Sequence, residues 1–359
     1  MADNGSNHNY TRKKFHEVLQ KGLKYVEKRK TGVIRSLKTP WPSFNQAGIN
    51  GLEWGSMLTL GARPGAGKTM LVSQLLRDAN ILNPNMEFNI LEFQFEMGDE
   101  QYATRQFAGH TTVEYGKLLS TKRPVEESTI NRLKQYIQDC EEMDKKGIIR
   151  EMITDPLDAD EIEQAIKQAY LDWGQKPIIV TIDHSWLIKK RKDEREKLQT
   201  LYNTAEMLMK LKNKIPIIVI MITQLNRSID EASRKEPGKI GNYPTSADIF
   251  GGDAFMQASD MVAIINNPQK AGITSYGPEK YISGDDDVYM HIIKSRNNGN
   301  KIELLFLKMI GNAQRMVELT SPNIDVSLTT FTPLSQRSKA IDPALQKTRR
   351  AVLDSDYPD

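Results

Sequence analysis

Residues 57–69 read M-L-T-L-G-A-R-P-G-A-G-K-T, and this stretch decides the fold of the chain around it. It begins as an apolar run typical of a buried strand and then breaks into a loop of glycine and other small residues. Backbone N–H groups in such a loop point at a bound anion, and the start of the following helix adds the positive end of its dipole. The stretch therefore predicts a phosphate-binding loop between a strand and a helix.

The loop departs from the pattern G-x-x-x-x-G-K-[S/T] at one position, because Ala62 stands where the first glycine is usual. A methyl group is acceptable there if the backbone φ angle is negative. We expect Lys68 to reach the β- and γ-phosphates of a nucleotide and the Thr69 hydroxyl to bind Mg²⁺. The order of strand, loop and helix argues against a chance glycine-rich turn. The predicted nucleotide-binding residues of this segment are Ala62, Arg63, Pro64, Gly65, Ala66, Gly67, Lys68, Thr69 and Met70.

The composition is typical of an ordinary soluble protein, with 39% apolar and 26% charged residues among 359. The 49 basic and 46 acidic residues nearly cancel, so the net charge of +3 does not by itself indicate nucleic-acid binding. A single cysteine, Cys140, excludes both a disulfide within the chain and a zinc ribbon. The N-terminus lacks the apolar core of a signal peptide, and no apolar run is long enough to span a bilayer. We therefore predict a cytoplasmic protein with no membrane contact.

From residue 48 onward, strand and helix patterns alternate, which predicts an α/β fold with a mostly parallel sheet flanked by helices. The turn signals Asn298-Gly299 and Gly311-Asn312 predict antiparallel hairpins that extend the sheet at its C-terminal side. The strand patterns occupy residues 57–61, 89–95, 148–153, 178–183, 215–223, 260–266, 287–294 and 302–309. The helical patterns occupy residues 69–80, 98–108, 125–143, 159–172, 194–213 and 246–258.

An amphipathic N-terminal helix is predicted by apolar residues at helical spacing in a lysine-rich segment, namely Phe15, Val18, Leu19, Leu23 and Val26. A lone helix of this length is marginal in water, so its apolar stripe must dock on its own domain or on a neighbouring subunit. Prolines at 40 and 42 predict an extended connector after it. The predicted division is a disordered N-terminus at 1–11, a linker helix and connector for subunit docking at 12–47, the α/β domain at 48–320 and a polar tail at 321–359.

Three residues that end apolar strand patterns are candidates for the chemistry of nucleotide hydrolysis. Asp183 would bind Mg²⁺ through water, although a carboxylate there can also simply cap the next turn. Glu96 would act as general base toward the attacking water. Gln224 would hydrogen-bond the γ-phosphate and lose that bond when phosphate leaves. Glu92 lies in the same segment as Glu96, but we expect it along the helix-covered body of the sheet.

Positive charge gathers in two later segments. The long loop at 226–253 carries cations that predict contact with a nucleic-acid backbone, namely Arg227, Arg234, Lys235 and Lys239. The alternative is a solvated loop without a ligand. Lys294 and Arg296 leave a strand two residues apart and so project from the same side. They are either surface cations or fingers that act in a neighbour's site.

Five motifs, taken in this order, resemble the ATPase domain of the DnaB-type replicative helicases, which has a RecA-like fold. The motifs are A-R-P-G-A-G-K-T, F-E-M-x-x-E-Q-x-x-x-R, I-I-V-T-I-D, T-Q-L-N-R-S and K-S-R-N-N-G, and the resemblance covers residues 45–320. It implies a ring-shaped homo-hexamer that moves on single-stranded DNA, with ATP and Mg²⁺ bound between adjacent subunits. Matched motif by motif, it implies metal binding by Thr69 and Asp183 and catalytic roles for Lys68, Glu96, Gln224, Lys294 and Arg296, the last two donated in trans.

The resemblance also implies roles for three further segments. Arg105 is a candidate for stacking on adenine, with pairing inside the protein as the alternative. Phe250, Gly251 and Gly252 belong to a DNA-facing loop, in which the family usually has a charged Arg-Glu pair where this chain has Phe250 and Gly251. The N-terminal helix takes the place of the linker helix that packs on the next subunit. The family's large N-terminal domain and a zinc-bearing primase module have no counterpart in this sequence, which suits a phage or plasmid replication protein.

We therefore predict an ATP-dependent hexameric helicase that unwinds duplex DNA during replication in a bacterial cell or a phage-infected host. A primase, a helicase loader or other replisome proteins are the expected partners. The alternatives are a RecA-like recombinase that forms filaments and a non-catalytic nucleotide-sensing replication scaffold. A closed ring would exclude the first alternative, and DNA-stimulated ATP hydrolysis would exclude the second.

Overall fold

The computed structural model describes residues 12–296 and 303–319. Three predictions lie outside these residues: the disordered N-terminus at 1–11, the turn Asn298-Gly299 and the polar tail at 321–359. Within the described part of the chain, no helix is both long and apolar enough to cross a membrane.

Strands and helices alternate along the chain in the order that the sequence predicts. The strands are β1 (Ser56–Ala62), β2 (Asn89–Gln94), β3 (Arg150–Ile153), β4 (Ile178–Asp183), β5 (Ile217–Gln224), β6 (Met261–Asn266), β7 (Ser275–Tyr276), β8 (Tyr281–Ile282), β9 (Asp287–Ser295), β10 (Leu304–Ile310) and β11 (Arg315–Leu319). The helices are α1 (Phe15–Lys30), α2 (Pro42–Ala47), α3 (Lys68–Leu82), α4 (Asp99–Thr111), α5 (Tyr115–Leu118), α6 (Glu127–Lys145), α7 (Ala159–Asp172), α8 (Lys197–Lys212) and α9 (Gly252–Ala258).

Nine of the described strands form one sheet, in the spatial order β11-β10-β9-β6-β1-β5-β4-β2-β3, while β7 and β8 form a separate hairpin. The strands from β6 to β3 are parallel, and β9, β10 and β11 pair in antiparallel fashion at one side. Ligands of such sheets bind outside the carboxyl ends of the parallel strands. Because β1 lies between β5 and β6, the loop that follows it opens near the middle of that edge. The predicted α/β architecture with antiparallel strands at its C-terminal side is confirmed.

Both faces of the sheet are covered by apolar side chains, as the twofold period of a strand requires. On β5, the even-numbered residues of 218–222 belong to the apolar layer shared with α3. The odd-numbered residues of 217–221 belong to the layer shared with α7, α8 and α9. Burial on both sides explains why this strand reads as one continuous apolar run.

The prediction of an extended connector is wrong for part of its length. Helix α2 begins at Pro42 and buries Phe44 and Ala47 in the core. Proline is favoured at the first helical position, because the N–H group that it lacks would have no helical partner there. Pro42 therefore starts a helix rather than preventing one.

The helical pattern predicted at 246–258 is also only partly correct. Helix α9 begins at Gly252, after a separate helical turn at Ser246–Asp248. Gly251 between them has a φ angle of 69°, in the left-handed region that interrupts a right-handed helix. The glycine pair thus divides the segment into two short pieces.

Helix α1 projects from the domain with its apolar side uncovered. None of its side chains is buried within the described chain, and Phe15 and Leu23 are 74% and 60% exposed. Its contacts with the domain are polar: the Tyr25 hydroxyl donates to Glu53 at 2.9 Å, and Arg29 pairs with the same carboxylate at 3.4 Å. The predicted amphipathic helix is therefore present, and its apolar stripe is not covered by its own domain.

Candidate nucleotide-binding site

The loop after β1 has the backbone that a phosphate cradle requires. Gly65 and Gly67 have φ angles of 75° and 93°, in the left-handed region that disfavours side chains. Ala62 instead ends β1 in an extended conformation and pairs with Gln224 of β5. Its methyl group is therefore tolerated, which meets the condition set by the sequence. Helix α3 begins at Lys68, so the free N–H groups of its first turn lie at the loop.

The strand register brings the predicted acids and the sensor amide to the edge where this loop opens. Gln224 is the last residue of β5, and Asp183 is the last residue of β4, where it pairs with Gln94 of β2. Glu96 follows β2 by two residues and is exposed, and its N–H group donates to the Gln94 side-chain oxygen at 3.3 Å. Because β1, β5, β4 and β2 are adjacent and parallel, their carboxyl ends collect these groups beside the loop.

A hydrogen bond joins Thr69, in the first turn of α3, to Asp183 at the end of β4. The Thr69 hydroxyl donates to Asp183 Oδ2 at 2.7 Å. Asp183 is 3% exposed, and its Oδ1 atom has no hydrogen-bond partner among the described residues. Burial above all, and the nearby Glu96 carboxylate, raise the pKa of Asp183 to about 6, against the lowering effects of the Thr69 hydroxyl and of Lys68.

This pair fits a magnesium ion. A buried carboxylate oxygen without a partner, beside a threonine hydroxyl at the start of a helix, is the donor set that P-loop proteins offer to Mg²⁺. The described residues hold no group of three or more His, Cys, Asp or Glu side chains that could bind a metal alone. Phosphate oxygens and water would therefore complete the shell, as they usually do for Mg²⁺.

Asp183→Asn is expected to stabilise the nucleotide-free protein at neutral pH, because it removes a buried carboxylate whose charged form is disfavoured. The pKa of Asp183 rises from 3.8 in the unfolded chain to about 6 in the folded protein. The protonated carboxyl group therefore contributes its full stability at pH values below the unfolded-state pKa, and this contribution is lost as the pH rises through the folded-state pKa. At about 1.4 kcal/mol per pKa unit, the free energy of unfolding of the variant should exceed that of wild type by up to about 3 kcal/mol above pH 6.

Thermal unfolding in EDTA between pH 4 and pH 8 measures this difference, with the exposed Asp172→Asn as control. The difference should grow between pH 4 and pH 6 and remain constant above. If the Asp183 variant instead melts below wild type at pH 7.5, the charged carboxylate stabilises the fold, and burial does not disfavour its charge as proposed.

Glu92 lies in the body of the sheet, as the sequence predicts. Arg150 Nε donates to Glu92 Oε1 at 2.6 Å, and the Tyr102 hydroxyl donates to Oε2. Both carboxylate oxygens are therefore engaged inside the protein. Burial, strengthened by the Glu92 charge, raises the pKa of Tyr102, so this tyrosine stays a hydrogen-bond donor at neutral pH. Glu92 is a structural residue, and Glu96 remains the candidate base.

Lys294 and Arg296 lie at the amino ends of the parallel strands, on the opposite side of the sheet from the loop. Strand β9 runs antiparallel to β6, so its last residue, Ser295, pairs with the first residue of β6. Arg296 Nη1 donates to Asp260 Oδ1 at 3.0 Å, and Lys294 Nζ donates to the carbonyl of Met256. Asp260 also accepts from the N–H group of Met57, near the start of β1. A strand of this length separates them from the loop by about 17 Å, so neither cation reaches the site of its own chain.

The four cations of the 226–253 loop differ in their surroundings. Both terminal nitrogens of Arg234 donate to Asp248, at 3.0 and 2.8 Å, and further donors reach the carbonyls of Gly241 and Tyr243. This geometry favours an internal role for Arg234, whose guanidinium closes the loop on itself, and a DNA contact by this residue stays a prediction. Lys235 lies 3.5 Å from Asp230, whereas Arg227 and Lys239 are exposed.

The segment Phe250 to Gly252 packs closely against its own domain. The Phe250 ring meets Trp186 edge-on, with centroids 4.8 Å apart, and its N–H group donates to the Gln224 carbonyl at 3.0 Å. A Cβ atom on Gly251 would lie 2.7 Å from Leu201. Close packing therefore explains the glycine, and DNA contact by this segment stays a prediction.

Arg105 meets an aromatic ring of its own chain. Its guanidinium carbon lies 5.7 Å from the centroid of the Tyr115 ring, at the start of α5. Of the two roles left open by the sequence, this geometry favours pairing inside the protein. Stacking on adenine remains a prediction for the nucleotide-bound form.

Two contacts of the loop were not foreseen from the sequence. Arg63 Nη1 lies 2.6 Å from Asp230 Oδ1, and Lys270 Nζ donates to the Gly65 carbonyl at 2.7 Å. The lysine is separated from its partner by 205 residues, so no local pattern could reveal the pair. Both contacts join the loop to segments that follow neighbouring strands. The loop, the first turn of α3 and the acids at the strand ends define a nucleotide-binding protein of the phosphate-binding-loop class.

Residues 37–314 match the family model described as the DnaB-like helicase C-terminal domain, and the chain belongs to this family. It is 25% identical over 229 residues to the replicative DNA helicase DnaB of Helicobacter pylori strain J99, across 62% of this chain and 44% of that protein. It is 22% identical over 323 residues to DnaB of Buchnera aphidicola subsp. Schizaphis graminum, across 87% and 62% of the two chains. The chain spans about half the length of such relatives, 44% and 47% in two of them.

Solved structures show the same fold. The ATPase domain of G40P superimposes with a TM-score of 0.69 at 16% identity, over 86% of this chain and 100% of that one. A DnaB-like replicative helicase described with its primase interactions gives a TM-score of 0.66 at 16% identity, over 86% and 68%. These similarities, together with the strand order, establish the RecA-like fold.

Proposed function

We propose that this chain is the motor of a replicative DNA helicase, which hydrolyses ATP and moves along single-stranded DNA. The observation that carries the proposal is the cluster at one sheet edge, where Thr69 contacts Asp183 beside Lys68, Glu96 and Gln224. Family membership makes helicase activity the first candidate among nucleotide-driven functions. A primase and a helicase loader are proposed partners on the same basis.

Each residue of the cluster has a chemical task. Lys68 and the loop N–H groups hold the phosphates, while Thr69 and Asp183 hold Mg²⁺. Mg²⁺, when bound, neutralises charge on the phosphate oxygens. Glu96 is exposed at the edge, where it orients a water molecule and accepts its proton. Gln224 donates to the γ-phosphate from the end of β5.

The position of Lys294 and Arg296 supports a site that two subunits share. Because these cations lie at the far edge of the sheet, they can serve a nucleotide only in the site of an adjacent subunit. A head-to-tail arrangement closes into a ring when the rotation between subunits allows it. We propose a homo-hexamer of this kind, with one site at each subunit boundary.

Helix α1 supplies a second contact for such a ring. Its uncovered apolar side needs a receptor, and a cleft of about 430 Å³ between α4, α6 and the β3 edge is lined by apolar residues such as Phe107, Ile137 and Ile148. We propose that α1 of one subunit docks in this cleft on the next. Burying a leucine-sized side chain contributes about 2 kcal/mol, so several together hold a subunit boundary.

Leu23→Glu is expected to break the ring into smaller species, because it places a charge in the apolar side of α1. Light scattering after size-exclusion chromatography, with an ATP analogue present, measures the mass. Lys21→Glu puts the same side chain on the polar side of the helix and should leave the mass unchanged. A Leu23 variant that keeps the wild-type mass would exclude α1 from the subunit contact.

Strand displacement tests the proposed function as a whole. Wild-type protein with ATP and Mg²⁺ should separate a short forked DNA duplex, and single-stranded DNA should stimulate phosphate release. Hydrolysis without strand displacement, accompanied by filaments on DNA, would favour a recombinase. Binding of nucleotide without hydrolysis would favour a replication scaffold.

A further inference from the structure

His184 directly follows Asp183 at the end of β4 and is 4% exposed. Both nitrogens of its ring have polar neighbours. Nδ1 accepts from the backbone N–H group of Trp186, at 3.3 Å between the nitrogens. Its Nε2 atom lies 3.4 Å from Nε2 of Gln224, the nitrogen of the side-chain amide. The histidine therefore touches the residue proposed to recognise the γ-phosphate.

These two contacts decide where the ring carries its proton. A backbone N–H group can only donate, so Nδ1 carries no proton and the ring holds its proton on Nε2. This Nε2–H group needs an acceptor, but the atom of Gln224 that faces it is the amide nitrogen, which can only donate. The oxygen and nitrogen of a carboxamide are nearly the same size, so hydrogen-bond partners decide which way the group is turned. We therefore assign the carboxamide the opposite orientation, in which the Gln224 oxygen accepts from His184 Nε2–H and the nitrogen is turned away.

The order of the strands shows which way the NH₂ group of the Gln224 carboxamide then points. Strand β5 lies between β4 and β1, and Gln224 pairs with Ala62 at the entrance to the phosphate-binding loop. A carboxamide whose oxygen faces the end of β4 presents its NH₂ group on the side of β1. Lys68 begins α3 on that side. The NH₂ group can donate to a phosphate oxygen there, whereas the carboxamide oxygen would repel it.

We propose that His184 is a positioning residue, whose Nε2–H group holds the Gln224 carboxamide with its NH₂ group turned toward the γ-phosphate. This role rests on the proposed function, in which Gln224 distinguishes ATP from ADP. The Gln224 carbonyl accepts from the N–H group of Phe250 at 3.0 Å, so the same strand end is joined to the segment predicted to face DNA. Fixing the amide therefore fixes the group through which phosphate loss is sensed.

Three variants separate positioning from packing. His184→Gln keeps an N–H donor near the Nε2 position. His184→Asn keeps an acceptor for the N–H group of Trp186 but is too short to reach Gln224, and His184→Leu loses both contacts. The full chain of each is titrated, with Mg²⁺ present, with a fluorescent ADP and with a fluorescent non-hydrolysable ATP analogue.

The preference for the ATP analogue over ADP should fall by about tenfold or more in the Asn and Leu variants. This is the effect expected when the hydrogen bond from the Gln224 NH₂ group to the charged γ-phosphate is lost. Affinity for ADP should stay at the wild-type value, and the Gln variant should keep the wild-type preference. In a Gln224→Ala background, His184→Leu should cause no further loss, because a positioning residue acts through its partner.

An unchanged preference in the Asn and Leu variants would overturn the proposal. Equal weakening of both nucleotides would also overturn it, since that pattern indicates a packing role. If the Leu variant does not fold, the Asn variant carries the test, because it retains the contact with Trp186. Wild-type protein that binds neither nucleotide would contradict the proposed function and this role together, whereas the first two outcomes contradict this role alone.

Discussion

Glu96→Gln is expected to bind ATP as tightly as wild type while its turnover falls by at least about a hundredfold, the usual contribution of a general base. The substitution keeps the size of the side chain but removes the carboxylate that accepts a proton from water. It leaves Lys68, Thr69 and Asp183 untouched, so the phosphates keep their contacts. Steady-state phosphate release on single-stranded DNA measures turnover, and fluorescent nucleotide titration measures affinity.

Glu100→Gln is the matched control, because Glu100 is an exposed carboxylate of the same segment, in the first turn of α4. This variant should hydrolyse ATP at the wild-type rate. Sustained hydrolysis by Glu96→Gln would remove Glu96 from the role of base. Loss of nucleotide binding would mean that Glu96 acts in the cradle rather than on water.

Arg296→Ala is expected to lower hydrolysis by about 10³-fold or more, the range seen when an arginine finger is removed. The side chain lies at the far edge of its own subunit, so the loss should arise in the neighbour's site. Folding should survive, because Asp260 keeps its contacts with Lys212 and with the Met57 N–H group. Phosphate release measures the loss, and the melting temperature checks the fold.

Mixed rings reveal whether the arginine acts in trans. Arg296→Ala subunits supply a complete loop and base, and Glu96→Gln subunits supply a complete finger. In rings mixed at random in equal amounts, about a quarter of the boundaries should combine the two intact halves. Activity should therefore return on mixing, whereas each variant alone stays inactive. Mixtures that form joint rings yet remain as inactive as their components would show that Arg296 acts within its own subunit or not at all.

The sequence predicts the parts of this protein that are determined by residues close to one another along the chain. A buried strand needs a continuous apolar run, and the loop needs glycine at positions with left-handed φ angles, so β1, β4 and β5 and the cradle are readable directly. The placement of Glu92 in the sheet body follows equally from strand geometry. Residues that end neighbouring parallel strands lie at the same side of the sheet. The sequence therefore predicts that Asp183 and Gln224 lie close together.

Contacts between distant segments were not predictable in this way. Arg234 reads as a loop cation, and only the folded loop shows Asp248 at its guanidinium. Pro42 was interpreted by its usual effect inside helices, whereas its role depends on standing at the first helical position. His184 carries no signal of its own, because its significance comes from the proton on Nε2 and the amide that this proton orients.

In the proposed ring, each subunit would hold two different halves of a nucleotide site. The phosphate-binding loop, Asp183 and Gln224 lie at one sheet edge, and Arg296 lies at the other, held by Asp260. Hydrolysis in this ring would depend on the relative position of neighbouring subunits, so that a change at one subunit boundary would be passed along the ring. Such coupling is what a motor needs if phosphate release is to move DNA.

Cryo-electron microscopy of the full chain with a non-hydrolysable ATP analogue, Mg²⁺ and a single-stranded oligonucleotide tests the shared site most directly. The account predicts closed six-membered rings around DNA, with Arg296 of each subunit at the nucleotide held by Lys68 and Thr69 of the next. Nucleotide-bound monomers, open filaments, or rings in which Arg296 stays at Asp260 away from every nucleotide would contradict it.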